Sequence, residues 1–183
     1  GKGGTTVEGL PVFDTVNEAV RETGANASVF FVPAPFVLDA FFETVDAGIS
    51  FIVVVPEHVP VHDVMKMRAY ARENGVSALG PTTPGILVPG LGKMGIMPAA
   101  LFAPGRVGVI SRSGTLSYEF AGILSRSNVG QSTGAKVHFR RTFSQRAVCF
   151  SCKPWAACTH LGGAVSGLQL AVHGERRSRV GHL

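Results

Sequence analysis

The first 148 residues contain no cysteine and no tryptophan, and the last 50 contain a single acidic residue, Glu175. Any thiol chemistry therefore belongs to the end of the chain, where Cys149, Cys152, Cys158 and Trp155 are gathered. No apolar run approaches the roughly 20 residues that span a bilayer. The start, Gly1-Lys2-Gly3-Gly4, lacks the charged and apolar regions of a signal peptide. No repeat of solenoid type appears. These absences leave a soluble protein without a membrane partner, and at 45% hydrophobic residues it can bury a core. The first residue is not Met and the chain opens on a glycine loop, so a segment upstream is expected.

The formal charge of +5 is not spread evenly. Residues 1–133 hold 9 Lys/Arg against 11 Asp/Glu, whereas residues 134–183 hold 8 against 1. The basic character lies entirely in the tail, so the two parts are read separately.

In the first part, short apolar runs alternate with helical patterns. Strands are expected at Ser28–Val32, Phe51–Val55, Val76–Leu79 and Val107–Ile110, and helices at Thr15–Thr23 with Asp14 as a possible cap, Phe36–Ala47, Val61–Glu73 and Thr115–Ser127. Continuous apolar strands each followed by a helix indicate a doubly wound α/β fold, a parallel sheet covered on both faces. Ligands in such a sheet sit beyond the strand C-termini. That singles out Pro33-Ala34-Pro35, Pro56-Glu57-His58 and Gly80-Pro81-Thr82-Thr83-Pro84-Gly85, which are either fixed frames for a ligand or simple turns. The Pro- and Gly-rich stretch from Gly80 to Gly105 has no clear period and reads as an ordered connector to a second domain beginning near Arg106.

Val107–Ile110 ends in Ser111-Arg112-Ser113-Gly114-Thr115 and turns at once into a helix. Such an arrangement points unpaired first-turn amides and the positive end of the helix dipole at an anion, with Ser113 and Thr115 adding hydroxyls. The alternative is that Ser113 merely caps the helix.

Six segments, GKGGTT, LPVFDTV, VPAPF, GPTTPG, PG-x-x-K-x-GI-x-P and VISRSGTLSYE, stand in an order and spacing that resembles the α subunit of succinyl-CoA synthetase, the ADP- or GDP-forming succinate–CoA ligase. The resemblance runs from Gly1 to Thr133. It implies an N-terminally truncated, Rossmann-like CoA-binding domain over residues 1–104, the first βα unit of a flavodoxin-like ligase domain over 105–133, and a divergent basic tail over 134–183. It also implies a ligase of the citric acid cycle that passes phosphate from a histidine to succinate, after which the CoA sulfur displaces phosphate from succinyl phosphate. The partner is a β subunit, in a heterodimer or heterotetramer, carrying the ATP or GTP site with Mg. The location would be the cytoplasm of a bacterium or the mitochondrial matrix of a eukaryote.

Carried over by motif, Lys2, the Pro33-Ala34-Pro35 loop, Val55, Pro56, Glu57 and Thr82 contact CoA. Ser113, Gly114 and Thr115 face the phosphohistidine, and Tyr118 lies near the substrate at the contact between subunits. Two departures stand out. The family's Thr-Glu-Gly is here Pro56-Glu57-His58, with His58 reading as a surface loop residue, and the usual Asn of Gly-Pro-Asn is Thr82.

The Gly-His-Ala-Gly context of the phosphorylated histidine occurs nowhere in the chain, and the glycine loop of the first Rossmann unit is expected upstream of Gly1. His138, His160, His173 and His182 lie in the tail, which reads as an out-of-frame or misjoined continuation. Cys149-x-x-Cys152 with Cys158-x-His160 has the residue types of a zinc or redox site but no flanking knuckle or helix pattern, so no metal is assigned. The arginines there lack a recognition motif and stacking aromatics, so no nucleic-acid partner is assigned. The chain is expected to be inactive alone. The rival readings are a sibling acyl-CoA ligase acting on malate, acetate or citrate, and a non-catalytic CoA-binding module.

Overall fold

A computed structural model of the chain describes residues 3–136 and the short strands Val148–Ser151, Gln169–Leu170 and Gly181–His182. It divides into two compact units, Gly1–Thr82 and Thr83–Leu183. Among the described residues no helix is long and apolar enough to cross a membrane.

The first unit opens with a hairpin, β1 (Thr6–Val7) against β2 (Leu10–Pro11), whose turn places Glu8 at φ 52° and Gly9 at φ 79°. Two consecutive positive φ values match the twist of the flanking strands. Helix α1 (Val16–Thr23) follows, and here the sequence reading needs a correction: the cap is Thr15, whose hydroxyl accepts from the Glu18 N–H at 3.2 Å. Asp14 instead accepts from the Gly3 N–H at 3.0 Å.

Strands β3 (Ala27–Phe30), β4 (Phe51–Val54) and β5 (Ser77–Leu79) form a parallel sheet in that order. They are joined by α2 (Val37–Asp46) and α3 (Val61–Glu73), the latter with the bounds expected from its periodicity. Phe30, Ile52 and Val54 share one buried cluster with Val37, Phe41 and Val45 of α2 and Met67 and Ala71 of α3, and Val16 and Val20 of α1 pack against it. The three helices therefore lie on one face of the sheet, while Val53, which alternates to the other face between Ile52 and Val54, is fully buried as well. The cause is topological, since a monotonic strand order with right-handed crossovers puts every crossover on the same side.

The second unit contradicts the reading of residues 80–105 as a connector. Gly85–Val88 (β6) and Gly92–Gly95 (β7) pair as an antiparallel hairpin and belong to the same sheet as β8 (Pro104–Ser111) and β9 (Gln131–Lys136). The sheet order is β10-β8-β9-β6-β7, where β10 is Val148–Ser151, and only β8 and β9 are parallel. The division between the two compact units falls after Thr82. The facing glycines 85 and 95 explain the hairpin, because a Cβ on either would collide with backbone of the opposite strand. Lys93 of the same motif donates to the Met97 carbonyl at 3.1 Å.

Helix α4 (Gly114–Arg126) crosses from β8 to β9. Its Ala121 joins Leu87, Met97 and Phe102 in the core, with Tyr118 packed against them. Gln131, 1% exposed, fastens this crossover: its amide donates to the Ala121 carbonyl at 2.9 Å and accepts from the Ala103 N–H at 3.0 Å.

Candidate functional site

The parallel register aligns Phe30 with Val54, and Val53 with Leu79, so three loops leave the sheet at one edge. This edge gathers Pro33, Ala34, Pro35, Val55, Pro56, Glu57 and Thr82, all singled out from sequence. Lys2 lies outside the described residues.

The loops are tied to one another through backbone. Val55 N–H donates to the Phe30 carbonyl at 3.3 Å, and Thr82 N–H donates to the Pro56 carbonyl at 2.9 Å. Gly80 lets the third loop come this close: it sits at φ 116°, and a Cβ there would run into the Val54 carbonyl oxygen. Pro33, Pro35 and Glu57 are exposed, whereas Ala34, Val55, Pro56 and Thr82 are half-buried.

Of the three positions that depart from the pattern of the resembled family, Pro56, His58 and Thr82, the last two have left-handed backbone. His58 and Thr82 each lie at φ 61°. Glycine or asparagine takes that conformation cheaply, but a β-branched residue does not. The sequence showed the substitutions but not the geometry they must adopt. His58 is exposed, as its reading as a surface residue required.

In the second unit, Ser113 is the N-cap of α4, its hydroxyl accepting from Leu116 N–H at 3.4 Å. The capping reading of Ser113 is thus realised, and it leaves the anion reading intact. Among the described residues none accepts from the N–H of Gly114 or Thr115. Among the described residues, these two amides at the positive end of the helix have no protein acceptor, the condition that anion binding there requires. Sequence reasoning missed the residue that holds this mouth in shape. Ser111, 2% exposed, accepts from Ser113 N–H at 3.1 Å and donates to the Ser113 carbonyl at 2.9 Å.

Tyr118 lies one turn further on, half-buried. Burial pushes its phenol above the ordinary tyrosine value, so the hydroxyl stays protonated at neutral pH. Among the described residues no group of three or more His, Cys, Asp or Glu could hold a metal ion. The Cys149, Cys152, Cys158 and His160 set falls outside the residues whose side chains are described.

Residues 1–58 match the family model of the CoA binding domain. The chain is similar to an ADP-forming succinate–CoA ligase α subunit of Archaeoglobus fulgidus, 56% identical over 133 residues that make up 73% of this chain and 46% of the relative. The corresponding subunit of Aquifex aeolicus is 51% identical over 139 residues, 75% of this chain and 46% of the relative. The chain thus spans less than half the length of these curated relatives. Among solved structures it resembles an ATP citrate lyase from Methanothrix soehngenii in complex with citrate and coenzyme A (TM-score 0.62, 26% identity, 69% of this chain and 22% of that one). A dinucleotide-forming acetyl-coenzyme A synthetase from Ca. Korarchaeum cryptofilum shares the fold, with a TM-score of 0.65 over 75% of this chain and 30% of that one.

Proposed function

We propose, from the premise that about three-quarters of this chain is similar to succinate–CoA ligase α subunits, that it carries the CoA-handling part of such a subunit. The observation that supports this most is the convergence at one sheet edge of all the described loops whose motifs match the family's CoA contacts. Their chemistry fits the ligand. The proline-rich turn after β3 offers a rigid apolar surface, and the Glu57 carboxylate can accept from hydroxyl or amide groups. Lys2 supplies an ammonium for a phosphate.

In this reading the two open amides of Gly114 and Thr115, with the Thr115 hydroxyl, donate to a phosphoryl group carried by a histidine. They stabilise charge where it develops during transfer to succinate, because preorganised donors need no rearrangement at the moment of reaction. CoA sulfur then attacks the acyl carbon of succinyl phosphate, its thiol proton passing to solvent or to the departing phosphate, which leaves with the electrons of the C–O bond. Splitting the condensation this way replaces one difficult step by two easier ones. Tyr118 supplies a protonated hydroxyl beside the substrate. The nucleoside triphosphate and Mg belong to a β subunit, and ADP-forming chemistry follows the relatives' names.

The chain has no histidine in a Gly-His-Ala-Gly context, so it cannot complete the cycle by itself. Of the related acids, succinate is favoured because relatives at 56% and 51% identity are named succinate–CoA ligase α subunits. Calorimetric titration of the 183-residue chain with CoA tests the reading. Saturable binding without succinyl-CoA synthesis, even with a β subunit added, is the expected result. An absence of binding at millimolar CoA contradicts the CoA assignment, and turnover contradicts the need for a histidine in the Gly-His-Ala-Gly context.

A further inference from the structure

The chain carries an aspartate beside the start of α1 and uses it elsewhere. Aspartate is among the best N-cap residues, yet the cap is its neighbour Thr15, and the Asp14 carboxylate instead accepts from the Gly3 N–H at 3.0 Å, eleven residues back. Glycine is required at the other end of this bond. A Cβ on Gly3 would stand inside the Asp14 carboxylate.

The segment between these two residues has no core of its own. Residues 4–11 are all exposed, so hydrogen bonds rather than packing give it its shape. Two bonds extend the β1–β2 hairpin toward the start of the chain, Gly4 N–H to the Val12 carbonyl and Val12 N–H to the Thr5 carbonyl, both at 2.9 Å. The Asp14 bond lies one residue nearer the start and is made by a side chain. Its anchor is fixed to the body of the unit: Val16 N–H, two residues on, donates to the Glu43 carboxylate of α2 at 2.8 Å, and Val37, Phe41 and Val45 bury α2 against the parallel sheet. Bonds this open to water break locally without unfolding the core. Removing the Asp14 acceptor therefore loosens the start of the segment and leaves the sheet intact.

What stands at that start decides the consequence. Gly3 is bonded directly to Lys2, whose ammonium the CoA reading assigns to a phosphate. The charge of a carboxylate repels an anionic ligand, so the value of Asp14 beside such a contact is as an acceptor that holds the backbone. A lysine side chain loses freedom when it engages a phosphate, and a loose backbone beneath it adds to that loss. Resting on the CoA reading above, we infer that Asp14 is a positioning residue for Lys2: by fixing the Gly3 amide it readies the lysine-bearing end of the segment for a phosphate of CoA.

The test is a double-variant cycle on the 183-residue chain, with CoA affinity measured by calorimetry for wild type, Asp14→Ala, Lys2→Met and the two combined, and thermal melts establishing that each folds. Asp14→Ala should bind CoA about fivefold more weakly, the scale of ordering one long side chain on binding. Lys2→Met should lose at least as much. The combined variant should bind within about twofold of Lys2→Met alone, because the anchor then has no ammonium to hold in place. Asp14→Asn keeps a side-chain acceptor and should bind at wild-type affinity or better. A merely structural role of Asp14 would weaken binding equally with and without the Lys2 side chain, so losses that add overturn the inference. Wild-type affinity of Asp14→Ala, or a loss in Asp14→Asn as large as in Asp14→Ala, overturns it too. If Lys2→Met binds CoA like wild type, the inference falls while the loops after β3, β4 and β5 survive as a CoA site. If wild type binds no CoA, the CoA reading itself fails and the inference with it.

Discussion

Thr82 donates its backbone N–H to the Pro56 carbonyl at 2.9 Å while holding a left-handed φ of 61°. That bond joins the loop after β5 to the loop after β4, and its conformation is one a β-branched side chain adopts at a cost. Thr82→Asn keeps the donor and suits the left-handed region better. It should raise stability by about 0.5–1 kcal/mol, read as an increased midpoint in urea at unchanged slope. An unchanged or lower midpoint would mean that the threonine side chain contributes more there than its backbone costs.

Gly80 leaves no such room. With φ at 116° and the Val54 carbonyl oxygen where a Cβ would stand, Gly80→Ala must displace one loop from the other. A loss of about 3 kcal/mol or more is expected, enough to unfold a marginal unit at room temperature. Circular dichroism melts of the variant beside wild type check it.

At the start of α4 two serines do different work. Ser113→Ala removes an N-cap and should cost about 1 kcal/mol. Ser111→Ala removes a buried hydroxyl from two hydrogen bonds and leaves the Ser113 N–H without its acceptor, for a loss of about 1–3 kcal/mol. Chemical denaturation of both variants gives the comparison, and a larger effect at Ser113 would contradict this account of the mouth.

Tyr70 of α3 donates its hydroxyl to the Asp46 carboxylate of α2, and that bond is the main reason its phenol titrates above the ordinary value. A tyrosine whose pKa is raised by folding adds stability that is complete below its unfolded value, near 10, and is lost as pH climbs through the folded one. The wild-type melting temperature should therefore fall more steeply than that of Tyr70→Phe above about pH 10. Parallel melts from pH 8 to 11 show whether the two curves converge.

Much of this architecture was legible in the sequence because apolar periodicity reports burial directly. Val61–Glu73 kept its expected bounds, and the cores of β3, β4 and β8 lay where the runs Ser28–Val32, Phe51–Val55 and Val107–Ile110 put them. Three features escaped for separate reasons. β6 and β7 are four residues each and contain glycines that propensity reads as turns, yet those glycines are what let the strands approach. The one-sided placement of α1, α2 and α3 depends on strand order, which periodicity does not encode. The left-handed backbone at Thr82 runs against the preference of a β-branched residue, so only coordinates reveal it. The candidate site was legible mainly through motif order. Ser111 was passed over because nothing in the sequence distinguishes a buried anchoring hydroxyl from an ordinary serine at a strand end.

The central claim is that the loops after β3, β4 and β5 receive CoA. Amide chemical-shift mapping of the labelled chain during CoA titration tests it most directly, with Asn26, Ser50 and Val76 at the opposite edge of the same sheet as internal controls. The account predicts shifts concentrated at Ala34, Phe36, Val55, Glu57, His58 and Thr82, with the controls still. Shifts centred on the controls, or none at saturating CoA, would contradict it.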